Sequence, residues 1–170
     1  MKLCVLTRKY IFEKAGVNTG KQVVLNGTLK WVPVMILPAS EQADKSFFAK
    51  SVIAEVNDNS KKSHFVAMVD AIYSGMMMED FSEHFANSIV SYKVAHSFKY
   101  AGKTENLREL KHGNKDRIYI YPYTGLGERY VFFLEAAHKN QQTTEKSVKD
   151  RAEELIKKIV DSKIMLISKG

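Results

Sequence analysis

From Leu29 to Leu37 the chain carries Trp31, Val32, Val34, Met35 and Ile36, an apolar run of strand length closed by Pro38. Pro33 inside it suits an edge or a bulge, because proline brings no N–H to a ladder. Two stretches of helical periodicity follow. Phe48, Val52, Ile53 and Val56 mark a helix that Ser40 would cap and Glu41 would open, an acid near the positive end of the helix dipole. Asn57-Asp58-Asn59-Ser60 breaks it. Ser63 can cap a second helix, in which Phe65, Met68, Val69 and Ile72 form one stripe and Gly75 sits where a terminal glycine belongs. The pair reads as an antiparallel helical hairpin after a strand.

Met76-Met77-Met78 reads as core filler rather than a partner surface. Residues 79–100 are ambiguous, with Phe81, Phe85, Ile89, Val90, Tyr92 and Val94 as buried candidates. Strands resume at Leu107–Lys111 and Arg117–Tyr123, the latter rich in β-formers. Thr124–Glu128 is a turn, and Arg129–Ala137 returns as a strongly apolar strand expected near the sheet centre. A helix from about Thr144 carries Val148, Ala152, Leu155, Ile156, Ile159 and Val160 as its apolar stripe. Ile164–Ile167 is a last short strand or more helix. At the other end, Leu3, Val5, Tyr10 and Ile11 fit a strand or a short helix. Val23-Val24-Leu25 fits a short strand, and Asn26-Gly27 a turn. The expected fold is α+β: one domain over 1–170, with helices on one face of a mostly antiparallel sheet. Residues 1–27 form an extension and 28–170 the core.

Composition adds bounds. A chain of 170 residues can bury a core without staples. Cys4 is the only cysteine, so neither an internal disulfide nor a thiolate zinc site can form within one chain. No stretch approaches the ~20 apolar residues of a membrane span. The expectation is a cytoplasmic protein with no membrane partner. The formal charge of +7 favours polyanions as partners.

Walker, GxGxxG and HExxH patterns are absent from the sequence, and Gly125-Leu126-Gly127 reads as a hairpin turn. The five histidines lack ligand spacing, so neither metal nor cofactor is expected. The notable stretch is Lys111-His112-Gly113-Asn114-Lys115-Asp116-Arg117, followed two strands later by His138-Lys139-Asn140-Gln141. Cutting RNA without metal needs a base for the 2′-OH, a cation for the phosphate and an acid for the leaving 5′-oxygen. Histidine and arginine suit those tasks. Tyr119, Tyr121 and Tyr123 can stack on a base or simply pack a sheet face, and basic residues at strand ends are often only solvated.

From Glu105 to Ile159 the chain resembles the RelE/ParE toxin superfamily, most closely its phage-derived HigB-like branch. The resemblance lies in Leu107-Arg108-Glu109-Leu110-Lys111, Asp116–Tyr121, Val131–Lys139, Gln142-Thr143-Thr144 and the charged helix after them. Asn140 stands where the family has a second lysine, and Glu145 where it has a proline. The resemblance implies a RelE-like fold and the toxin of a toxin–antitoxin pair. Such a toxin is a metal-independent endoribonuclease that cuts mRNA on the ribosome and is restrained by an antitoxin protein. It further implies Arg117, His138 and Lys139 as catalytic residues, with Lys111, His112, Lys115, Tyr119 and Tyr121 as RNA contacts. The segments beyond the family's usual length leave a homodimer open. Family members of the same fold act without cutting RNA, by binding a host factor such as DNA gyrase, so a non-catalytic binder of protein or nucleic acid is the alternative.

Overall fold

The structure, a computed structural model, describes residues 1–18, 25–141 and 143–169. Its scaffold is a meander of four long antiparallel strands: β3 (Ser91–Tyr100), β4 (Lys103–His112), β5 (Asp116–Gly125) and β6 (Glu128–His138). The β5–β6 link is a two-residue turn. Leu126 and Gly127 both have positive φ, 54° and 77°, which matches the right-handed twist of a hairpin. Three short strands extend the sheet beyond β6. β2 (Val32–Ile36) lies parallel to β6, β1 (Lys2–Val5) antiparallel to β2, and β7 (Leu166–Lys169) parallel to β1. The spatial order is β3-β4-β5-β6-β2-β1-β7. The protein is therefore α+β, with a largely antiparallel mixed sheet.

Both faces of this sheet are covered. On one lie α1 (Arg8–Lys14), α2 (Phe47–Glu55) and α3 (Asn59–Met76), packed on Met35, Leu110, Ile118, Ile120, Val131 and Phe133. On the other lies α4 (Lys146–Asp161), whose Val148, Ala152, Ile156 and Ile159 meet Leu107, Tyr119, Tyr121, Phe132 and Leu134. The expected single helical layer is thus two layers. Double coverage accounts for the unbroken burial from Val131 to Leu134, since successive side chains point to opposite faces.

The N-terminal segment set apart as an extension is part of the sheet. Leu3 and Cys4 are buried in β1, which sits between β2 and β7, and Ile11 and Phe12 of α1 enter the core. Pro33 lies in an interior strand rather than at an edge. Its carbonyl accepts from Leu6 N (2.9 Å), just past the last β1–β2 pair. The N and C=O of a strand residue point the same way, so the missing donor faces the place where β1 leaves the sheet.

Helix starts also differ from the sequence reading. Ser46, not Ser40, caps α2 by accepting from Ala49 N (3.1 Å), while Glu41 adopts positive φ. Asp58 caps α3 by accepting from Lys61 N (2.8 Å), so Ser63 lies within the helix. Gly75 is inside the last turn, against the Phe81 ring. Residues 79–100 resolve into a 3-10 segment (Phe81–Asn87) and β3; Ile89 and Val94 are exposed, not buried. Ile53 likewise points outward. Leu166–Lys169 is strand rather than further helix. Of the strand expected at Val23-Val24-Leu25, Val23 and Val24 lie outside the described residues.

Candidate active site

A bulge decides which side chains meet at one end of the sheet. Ile120 pairs with Phe133 and Tyr119 with Glu135, so Leu134 is an extra residue in β6. Beyond it the alternation shifts by one. His138, which regular alternation would aim at α4, instead shares the α3 face with Asp116, its cross-strand partner.

There the Asp116 carboxylate holds two imidazoles. Oδ1 lies 2.6 Å from His138 Nδ1, and Oδ2 lies 2.5 Å from His64 Nδ1 on α3. Asp116 is mostly buried, while about a third of the His64 and His138 side chains stays open to solvent. His112, at the end of β4, packs its ring edge-on against His64 at 5.1 Å. The β4–β5 turn makes room for this. Gly113 has φ 63°, and a Cβ there would stand 2.7 Å from His64 Cε1. The carboxylate fixes both Nδ1 atoms as hydrogen-bond donors, which leaves each Nε2 to take or give a proton.

Arg117 sits on the opposite face, wholly enclosed. Its Nη1 donates to the carbonyls of Asn114 (3.1 Å) and Asp116 (3.2 Å), and its Nε lies 3.2 Å from Oε1 of the equally buried Glu109. It therefore holds the backbone that carries Asp116 but reaches no solvent. Lys139 is also buried, over the Tyr119 ring at 5.2 Å, and burial pushes its ammonium below the usual lysine range. Tyr119 and Tyr121 are core residues of the α4 face, and burial pushes both phenols up. Of the three residues expected to be catalytic, only His138 faces the cluster. His112 is beside it, Lys115 is exposed in the adjoining turn, and Lys111 lies half-buried on β4.

No protein family, curated protein or solved structure matches the chain. Two members of the cluster had no role in the sequence reading. His64 is 52 residues from Asp116, on a helix with no local signal of chemistry. Asp116 stood in the noted basic stretch but without a partner. Among the described residues no group of three or more His, Cys, Asp or Glu side chains is placed to hold a metal ion. No helix there is long and apolar enough to cross a membrane.

Proposed function

We propose that the protein is a metal-independent endoribonuclease of the toxin–antitoxin kind, acting on mRNA at the ribosome, with its chemistry at His64, Asp116 and His138. The observation that carries this reading is one carboxylate orienting two partly open imidazoles. One imidazole Nε2 removes the proton of the 2′-OH as that oxygen attacks phosphorus. The other, as imidazolium, protonates the 5′-oxygen as its bond to phosphorus breaks. The products are a 2′,3′-cyclic phosphate and a 5′-hydroxyl. A net charge of +7 and the exposed Lys115 beside the cluster favour a polyanionic substrate. From β2 to α4 the order strand, two helices, antiparallel strands, helix supports the RelE-like reading of the fold.

A specific observation favours the alternative of a RelE/ParE-like binder without catalysis. Arg117 and Lys139, implied by the resemblance as phosphate and proton groups, are both buried.

The test is to induce the wild type, His64→Ala and His138→Ala in a bacterial host and map new mRNA 5′ ends against growth. Growth arrest with in-frame cuts, lost in both variants, supports the nuclease. Arrest without cuts transfers the reading to the binder. Folded protein with no effect on growth removes the toxin reading.

A further inference from the structure

The parallel strands β2 and β6 lead to helices on opposite faces: β2 runs on to α2 and β6 to α4. Such a switch point opens a crevice at the carboxyl ends of the two strands, because the connections leave in opposite directions. Here the crevice is widened by two local features. Pairing between β2 and β6 ends at Val34–Phe132, although β2 continues to Ile36. The Leu134 bulge then bends β6 just past that point.

The resulting cavity of about 260 Å³ is walled by Ile36 on β2, Phe47 on α2, Phe133 and Leu134 on β6, and Leu155 on α4. Phe47 is 43% exposed and forms the outer wall. Its ring is backed by the Arg151 guanidinium, 4.7 Å from the centroid, whose charge is engaged by Glu135 (2.9 Å). For scale, an apolar cavity of about 150 Å³ holds a benzene ring. This one takes a bicyclic or branched body of somewhat larger size.

The mouth carries charge of a single sign. Lys45 and Lys50 line it, no carboxylate does, and both side chains are exposed. Among the described residues neither lysine has an ion-pair partner, although the rest of the surface pairs many of its lysines. An apolar body with one anionic end matches both features. We infer that the crevice between β2 and β6 binds a small amphipathic anion, with an aromatic or branched aliphatic body against Phe47, Leu134 and Leu155 and its charge toward Lys45 and Lys50. This site is on a different part of the sheet from the histidine cluster, and the inference stands apart from the nuclease reading.

The probes are 1-naphthoate and its neutral counterpart 1-naphthylmethanol, titrated into the full chain while methyl NMR signals are followed. The expected result is saturable one-site binding of naphthoate, with shifts confined to Ile36, Leu37, Leu134 and Leu155. The alcohol binds more weakly. Lys45→Glu with Lys50→Glu, both exposed positions, weakens naphthoate roughly five- to tenfold and leaves the alcohol unchanged. Leu155→Trp fills the crevice and blocks both probes. Absence of naphthoate binding to folded wild type overturns the proposal. So do shifts that map elsewhere, or equal affinity for acid and alcohol that the lysine changes do not alter.

Discussion

Asp116 and His138 are cross-strand partners on β5 and β6, and the carboxylate Oδ1 lies 2.6 Å from the imidazole Nδ1. The same carboxylate takes His64 with its other oxygen, so a single side chain sets two rings. Asp116→Asn keeps the shape but presents an amide where a carboxylate orients both rings. Under the nuclease reading, cleavage falls by about 10²–10⁴-fold. The fold should survive, with a stability loss of roughly 1.5–3 kcal/mol for hydrogen bonds to a charged group. Cleavage assays beside urea melts check both, and undiminished cleavage would remove Asp116 from the mechanism.

The pH profile of cleavage should be bell-shaped, because one ring must be neutral and the other protonated at once. His138→Ala and His64→Ala should each flatten one limb of whatever activity remains. Single-turnover rates across the pH range measure this, and a full bell in both variants counts against two-imidazole catalysis.

Gly113→Ala attacks the same geometry from the turn. The position has φ 63°, and the added Cβ would meet His64 at 2.7 Å. The left-handed backbone costs about 1–2 kcal/mol with a side chain. Displacing His64 should lower cleavage further than stability alone explains. Thermal melts and the His64 NMR signals separate the two effects.

Arg117 is expected to matter for folding. Removing one member of a buried ion pair leaves the other poorly compensated, here Glu109 with the more distant Lys93 at 3.7 Å, at a cost of up to roughly 3–5 kcal/mol. Arg117→Met should therefore destabilise strongly, and Arg117→Met with Glu109→Met should cost less than the first change alone. Chemical denaturation of the two variants decides it. A double variant that is worse than the single would show that Glu109 is not the partner that counts.

Lys139 makes stability depend on pH. Its ammonium loses a proton more readily in the folded protein because it is buried. Between the folded value and the ordinary lysine value the unfolded chain holds more proton than the folded one. Stability therefore rises as pH rises across that alkaline interval. Lys139→Met should lessen that slope, as read from melts between neutral and alkaline pH. An unchanged slope would show that other groups cause it.

Much of the scaffold was legible in residue order. Apolar runs and turn residues located β2, the meander from β4 to β6 and the stripe of α4, because periodicity reports which side of an element is dry. The segment before Leu29 was not legible. Leu3 and Val5 fit strand or helix until β2 and β7 stand on either side of them.

The site divides in the same way. His112 and His138 could be singled out from their places at strand ends. Asp116 could be seen but not assigned, and His64 could not be found at all. A one-residue bulge at Leu134 reverses the direction of His138, and no local pattern announces it. Arg117 was read as a catalytic cation because nothing local shows that Glu109 on the neighbouring strand and the α4 layer enclose it. The sequence by itself determined the types of the strongly periodic elements, the charge and the absence of a cysteine framework, since these depend on local spacing and composition. Only the tertiary structure decided which face each side chain took and which charges were buried together. Both depend on strand register and on contacts between residues far apart in the chain.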